Sequence, residues 1–270
     1  MKGKPILRWA GGKQWLINQI DQYIPDYIEN YYEPFAGGLS VLIHLLNNAK
    51  INNDSFISDS NEKLINFYVQ LQNNPNRLIG NLKKYRNEEE EYYTERNFIR
   101  RSLNTKAAQF LYLNRTSFNG IYRENLKGKY NVPYGHKTYK TLFDSEQIKN
   151  LSDLFSSVFF NTSDFEQIEE NIQIGDFIFF DPPYTVAHEH NGFIKYNQKI
   201  FTWEDQIRLK ELVQRLSQRN INFIVTNAHH QSILDLYHDV GNINLIQRSS
   251  TVGGTKARRG NFNEVLISNI

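Results

Sequence analysis

The run Phe177-Ile178-Phe179-Phe180, cut off by Asp181-Pro182-Pro183-Tyr184, constrains this chain more than any other segment. Consecutive apolar residues rich in aromatics read as a buried strand, and the prolines end it because neither can donate to a ladder. The tetrapeptide is therefore expected at a strand's carboxyl end, where open α/β sheets bind ligands. It presents a carboxylate acceptor, a carbonyl held rigid by proline and a flat aromatic face. Together these suit a planar substrate with an exocyclic amino group, a nucleobase being the natural candidate. An ordinary Asp-Pro turn beside a core tyrosine carries the same four letters, so the remaining chain has to decide.

Strand-like and helix-like segments alternate on both sides of the middle region. Tyr27 to Tyr32 reads as a first strand, followed by the turn Glu33-Pro34-Phe35-Ala36-Gly37-Gly38 and a helix from Leu39 to Leu46. Ser55 to Ser58 reads as a second strand ending at Asp59, with a helix through Leu64, Ile65, Tyr68, Val69 and Leu71, which makes a βαβ unit. The pattern then changes. Asn81 to Arg101 is a charged helical run, read as a solvated face. Ala107 to Leu113 is an apolar helical piece, and Asn114 to Tyr139 is loop or hairpin sequence. Strands are expected again at Ser157–Phe160, Phe177–Phe180, Asn222–Thr226 and Glu264–Ile267. A helix spans Trp203 to Arg219, with Thr202 and Asp205 in capping-box spacing.

With 270 residues, 40% apolar and 14% aromatic, the chain has ample material for a core. No apolar stretch approaches a membrane span, and Met1-Lys2-Gly3-Lys4-Pro5 leads into patterned sequence without a signal-peptide core, so a soluble intracellular protein is expected. The absence of cysteine excludes disulfides, thiolate zinc sites and cysteine nucleophiles. A net charge of +2 is too mild to announce a polyanion partner, so local clustering has to supply one. Such a cluster exists. Arg115, Arg123, Lys127, Lys129, His136, Lys137 and Lys140 face the single acid Glu124, with Phe118, Tyr122, Tyr130, Tyr134 and Tyr139 interleaved. Cations of this kind neutralise phosphates, and aromatics stack on or wedge between bases. Arg248, Lys256, Arg258 and Arg259, with Gly253-Gly254, form a second basic stretch, either a phosphate clamp or a solvated loop.

Gly37-Gly38 lets the chain turn tightly so that a ligand can approach the next helix's amino end. Asp59 follows about 20 residues later, at the second strand's end, where an acid accepts both ribose hydroxyl hydrogens. Capping of the helix at Asn61 to Asn66 is the alternative for Asp59. The GxGxxG and P-loop fingerprints are absent, which favours S-adenosylmethionine over dinucleotides and ATP. Arg8-Trp9-Ala10-Gly11-Gly12-Lys13 adds another glycine turn beside an indole and a cation. Lys13 either meets a carboxylate such as that of a methionine moiety or is a surface lysine.

Taken in order, Arg8 to Lys13, Glu33 to Gly38, Asp59, Leu113-Asn114-Arg115 with Phe118-Asn119-Gly120, and Asp181 to Tyr184 resemble Dam-type DNA adenine-N6 methyltransferases, the D12 class (alpha group), along essentially the whole chain. The resemblance implies an α/β fold: a Rossmann-like S-adenosylmethionine-dependent methyltransferase sheet in residues 1–66 and 143–270, with an inserted, mainly helical target-recognition domain carrying a β-hairpin in 67–142. It assigns the cofactor to Trp9, Ala10, Gly11, Gly12, Lys13, Glu33, Pro34, Phe35, Ala36, Gly37, Gly38, Asp59, Asp164, Phe165 and Asp181. Catalysis falls to Asp181, Pro182, Pro183 and Tyr184, with no metal. DNA falls to Arg8, Arg115, Phe118, Asn119, Ile121, Arg123 and Pro133, with GATC as the preferred site. Two departures stand out: Leu39 stands where many members have a further glycine, and Arg8 where many have lysine. The implied partners are double-stranded DNA and, in a restriction setting, a separately acting endonuclease, for a cytoplasmic, bacterial or phage-encoded monomer. Phe193 and Tyr196 are further candidates for walls of the base pocket, or core residues. C5 methylation of cytosine proceeds through a cysteine adduct and is excluded. Cytosine N4, an RNA substrate and a noncatalytic DNA-binding role stay open on residues alone.

Overall fold

The computed structural model describes residues 2–125, 127–136, 138, 141–186, 201–249 and 261–270, apart from the side chains of 248, 249, 261 and 262. The strands are β1 (Tyr31–Glu33), β2 (Ser55–Asp59), β3 (Val158–Thr162), β4 (Phe177–Phe180), β5 (Asn222–Ala228), β6 (Asn242–Ser249) and β7 (Asn261–Ser268). The helices are α1 (Ile17–Ile20), α2 (Ser40–Asn47), α3 (Glu62–Asn73), α4 (Pro75–Leu82), α5 (Glu89–Asn97), α6 (Leu103–Thr116), α7 (Ser145–Leu154), α8 (Trp203–Gln218) and α9 (Gln231–Tyr237). The strands form one mixed sheet of order β3-β2-β1-β4-β5-β7-β6. β1, β4 and β5 run parallel, and β7 enters antiparallel between β5 and β6. Strand order reverses between β1 and β4, which makes their carboxyl ends the topological switch point of the sheet. Among the described residues no helix is long and apolar enough to cross a membrane.

By contacts the chain divides into two compact units, Met1–Gln14 with Ala36–Ala49 and Ile57–Thr162, and Trp15–Phe35 with Lys50–Phe56 and Ser163–Ile270. The second unit is built around β4. All four of its residues are buried, as expected of a parallel strand covered on both faces. Its entry is pinned by the buried Asp176, whose carboxylate accepts from Asn30 N (3.2 Å), Asn30 Nδ2 (2.8 Å) and Gln173 N (2.9 Å), so the starts of β1 and β4 are tied together. Ile178, Phe180, Phe223, Val225, Val265 and Ile267 make one face of the sheet core. Leu209, Leu212, Val213 and Leu216, at helical spacing on α8, cover it. The capping box at the start of α8 is formed: Thr202 Oγ1 accepts from Asp205 N (3.2 Å), and the Asp205 carboxylate accepts from Thr202 N (2.8 Å).

In the first unit α6 packs against α3 and α4. A second, tyrosine-rich cluster in this unit is made of Tyr92, Tyr112, Leu113, Tyr134 and Leu142. These rings are buried with their hydroxyls paired. Tyr92 Oη donates to Val132 O (2.8 Å), Tyr112 Oη to Arg86 O (3.0 Å) and Tyr134 Oη to Asn87 O (3.0 Å).

The first strand is shorter than the expected Tyr27–Tyr32. Tyr27 is 59% exposed, Ile28 makes only an isolated bridge to Ile51, and Asn30 spends its side chain on Asp176 and on Asp54 N instead of extending the ladder. The expected charged helix Asn81–Arg101 is broken, with α4 ending at Leu82 and α5 starting after an extended Glu88. Arg86 folds that linker onto Glu91, and three glutamates in the first turn of α5 favour a new helix amino end. Asn114 and Arg115 lie on α6, not in a loop. Replacing Thr202 by alanine removes the cap and is expected to cost about 1 kcal/mol, measured as a lowered urea midpoint with an unchanged m-value.

Candidate functional site

In the first unit, the segment after β1 forms a tight turn. Gly37 (φ 46°) and Leu39 (φ 55°) both adopt left-handed backbone, Ala36 N donates to Ser58 O (3.0 Å), and Tyr68 Oη donates to Gly37 O (2.7 Å). Leu39 is the N-cap of α2 and its carbonyl accepts from Ile43 N. A left-handed leucine costs about 1–2 kcal/mol. The side chain is almost fully buried, which contributes about 1.5–3 kcal/mol and offsets the strain. Asp59 ends β2 half-buried, its carboxylate accepting from Asn61 N (2.9 Å) and from Gly37 N. Desolvation pushes its pKa up to about 6 against those two hydrogen bonds. Capping of α3 is done by the Asn61 side chain, through Lys63 N (3.1 Å) and Leu64 N (3.2 Å).

The Arg8 to Lys13 block closes on itself through Gly12 N to Trp9 O (3.1 Å), with Gly11 at φ 79°. Lys13 is buried and donates to Gly11 O (2.9 Å), so it is no surface lysine. Trp9 and Gly12 of this block and Gly38 and Ser40 of the glycine turn line one cavity of ≈ 460 Å³. The fit to a nucleoside-containing cofactor rests on that shared cavity and on an acceptor at the end of β2.

The root of the loop that follows α6 in the same unit is organised by Asn114, which is buried. Its Oδ1 accepts from Arg8 N (2.9 Å), and its Nδ2 donates to Arg8 O (2.7 Å) and Gly120 O (3.2 Å). Gly120 has φ 65° and lies so close to Arg8 that an added Cβ would sit 2.5 Å from the arginine's own. The loop beyond is an irregular ribbon with antiparallel bridges Ser117–Tyr134 and Glu124–Tyr130. Phe118 is 51% exposed, Asn119, Arg123 and Pro133 are exposed, and Ile121 is half-buried. Arg123 Nε donates to Asn131 Oδ1 (2.8 Å). Arg115 is a strut whose Nε donates to Leu142 O (3.0 Å), and burial together with the Arg8 charge lowers its pKa. The aromatics of this segment differ in role. Tyr130 and Tyr134 bond to backbone carbonyls and hold the loop, and Tyr122 stacks on Trp9 at 5.5 Å, leaving Phe118 as the exposed ring among the described aromatics of this segment. The acid Glu124 pairs with Lys63 at the start of α3 and accepts from Tyr122 Oη. Leu126, Lys137, Tyr139, Lys140, Phe193, Tyr196, Gly253, Gly254, Lys256, Arg258, Arg259 and the side chain of Arg248 lie outside the described residues.

In the second unit, the carboxyl ends of β1 and β4 bring two acids near one phenol. Tyr31 Oη donates to Glu33 Oε2 (2.8 Å), and burial, Glu33 and then Asp181 hold the Tyr31 pKa well above its ordinary value. Glu33 is buried. Asp181 Oδ1 accepts from Thr226 Oγ1 on β5 (2.7 Å), and Tyr184 Oη donates to Glu264 Oε2 on β7 (2.6 Å). Pro182 is buried and Pro183 half-buried. Phe35, which follows Pro34, stacks on Phe165 (5.5 Å) and meets Phe201 edge-on (5.5 Å). Asp164 accepts from Glu166 N (3.0 Å) and Arg208 Nη2 (2.8 Å). Thr226 and Glu264, which hold Asp181 and Tyr184, are not among the residues singled out by the sequence. The only signal for Glu264 was a lone acid in an otherwise apolar final strand.

Residues 9–252 match the family model of the D12 class N6 adenine-specific DNA methyltransferase. The chain is 34% identical to a type II methyltransferase of Methanocaldococcus jannaschii, with all of both chains covered. It is 32% identical to a type II methyltransferase of Lactococcus lactis, covering 98% of this chain and 95% of that one. A DNA adenine methylase of Vibrio cholerae is 28% identical over 98% of this chain and 95% of its own. On this match, running from the first glycine block past the Asp-Pro-Pro-Tyr strand end, the chain belongs to the D12 class of N6 adenine-specific DNA methyltransferases.

Proposed function

We propose that Asp181 and the Pro182 carbonyl accept the two N6 hydrogens of a target adenine extruded from a short duplex site. The observation that carries this reading is a carboxylate fixed by Thr226 at the end of a proline-stopped strand, at the switch point of the sheet. The N6 lone pair is conjugated with the ring and must be localised before it can attack. Fixed acceptors beside the nitrogen favour its pyramidal form and stabilise the positive charge that develops on it. Tyr184 stacks on the extruded base and offsets part of the few kcal/mol that extrusion costs.

S-adenosylmethionine supplies, when bound, an electrophilic methyl group for a single displacement. Asp59 holds the ribose hydroxyls, Gly37 and Gly38 let the backbone approach the cofactor, and Trp9 to Lys13 close over its methionine end. The family resemblance also assigns Glu33, Pro34, Phe35, Asp164 and Phe165 of the second unit to cofactor binding. No described cluster of His, Asp or Glu could hold a metal ion, and none is needed for this transfer.

Residues 67–142 act as the target reader. Phe118 or Asn119 fills the gap left by the extruded base, Arg123 reads a guanine edge, and Ile121 with Pro133 touches a thymine methyl group. Arg8, fixed at the loop's root by Asn114, reads an outer base, and Arg115 adds charge beside it. The preferred site is GATC, on duplex DNA, with the enzyme acting as a cytoplasmic monomer, alone or alongside a separate endonuclease.

Asp181→Ala is expected to keep duplex binding and lose tritium transfer from labelled cofactor, and retained turnover contradicts the assignment. Arg123→Ala should lower discrimination at one base pair by about 1–3 kcal/mol, read from methylation rates on singly substituted sites; an equal loss on every site would make it a phosphate contact. Accepting both ribose hydrogens requires ionised Asp59, whose pKa lies near 6. Cofactor affinity by calorimetry should therefore hold from about pH 8 to about pH 7 and fall as pH drops toward about 5. Asp59→Asn should bind weakly with no such slope, and a wild-type affinity flat across this range contradicts the role.

A further inference from the structure

Both polar side chains of the Asp181-Pro182-Pro183-Tyr184 tetrapeptide reach residues far along the chain, Asp181 meeting Thr226 (2.7 Å) and Tyr184 meeting Glu264 (2.6 Å). Those two partners belong to adjacent antiparallel strands. The β5–β7 register sets Thr226 opposite Leu266 and Ala228 opposite Glu264. Directly opposed residues share a face and alternate residues return to it, so Thr226 and Glu264 lie on the same face of the ladder. It is the face opposite Phe223, Val225, Val265 and Ile267, which pack into the core under α8. Both partners are almost fully buried, on paired strands within the sheet. The antiparallel insertion of β7 next to β5 is what brings Glu264 beside Thr226.

We propose that Thr226 and Glu264 are positioning residues that set the two working side chains of the tetrapeptide from the β5–β7 ladder. This rests on the assignment of Asp181 as the N6 acceptor. By donating to Oδ1, Thr226 selects one rotamer of the Asp181 carboxylate that receives the substrate amine. Glu264 anchors the phenol of Tyr184, fixing the plane of the ring on which the base stacks. Neither residue touches substrate in this account, and each acts only through its partner.

The test is steady-state methylation of a duplex carrying the recognised site by the full chain, comparing Thr226→Val, Thr226→Ala, Thr226→Ser, Glu264→Ala and Glu264→Gln. Misplacing a reacting group by a fraction of an ångström to an ångström lowers kcat by about 10- to 100-fold. That loss is expected for Thr226→Val and Thr226→Ala, with KM for cofactor and DNA within about threefold of wild type. Thr226→Ser keeps the donor and Glu264→Gln keeps an acceptor, so both should restore most of the rate, whereas Glu264→Ala should not. Valine matches threonine in shape, and the alanine variant answers the same question if valine disturbs folding. Wild-type kcat in Thr226→Val or Thr226→Ala, or a serine variant as slow as both, overturns the proposal. An active Asp181→Ala would instead overturn the reading beneath it; an inactive Asp181→Ala beside a fully active Thr226→Val would overturn the positioning role alone.

Discussion

The hydrogen bond between Thr226 and Asp181 depends on one constraint, that a strand paired on both edges is stopped by proline. β4 lies between two parallel neighbours and is buried throughout, so its direction is set before it reaches Asp181. Pro182 and Pro183 have no amide hydrogen to continue the ladder, and the chain leaves the sheet at that point. The residue at the exit then has fixed neighbours on either side. Tyr31 with Glu33 stands at the end of β1, and Thr226 within β5. Tyr31 gives its hydrogen to Glu33, while Thr226 donates to Asp181, so the two nearby acids are satisfied by different donors.

The loop from Ser117 to Tyr134 is supported differently. It has little regular ladder to hold it, and tyrosine supplies the substitute. Tyr92 and Tyr134 bury their rings, Tyr130 half-buries its own, and all three spend their hydroxyls on backbone carbonyls, which fixes the path of the loop without using its exposed residues. Asn114 does the same at the root, where one amide grips both the N–H and the carbonyl of Arg8. Exposed Phe118, Asn119, Arg123 and Pro133 therefore extend from a supported backbone.

The elements legible in the sequence were those with strong local signals. β2 and β4 were clear from apolar runs closed by an acid or proline, and the start of α8 from Thr202 and Asp205. β6 and α9 were not. β6 opens Asn242-Ile243-Asn244-Leu245 at the sheet edge with Leu245 exposed, so its apolar alternation buries little and is weak in composition. The site divided along the same line. Chain-local features such as Gly37-Gly38, Asp59 and Asp181 could be read from spacing. Thr226 and Glu264 acquire meaning only through the β5–β7 register, a long-range pairing that local composition does not encode. Leu39 shows the limit from the other side: a left-handed leucine is disfavoured locally and is held there by its burial.

The central claim is that this chain marks the exocyclic nitrogen of adenine within one short duplex sequence. Long-read methylation mapping of DNA from a methylation-free host expressing the chain tests it directly. The account predicts N6-methyladenine confined to a single motif, absent when the host expresses Asp181→Ala at the same level. Unmodified DNA with the wild-type protein folded and abundant, N4-methylcytosine in place of N6-methyladenine, or adenine methylation scattered without a motif would contradict it.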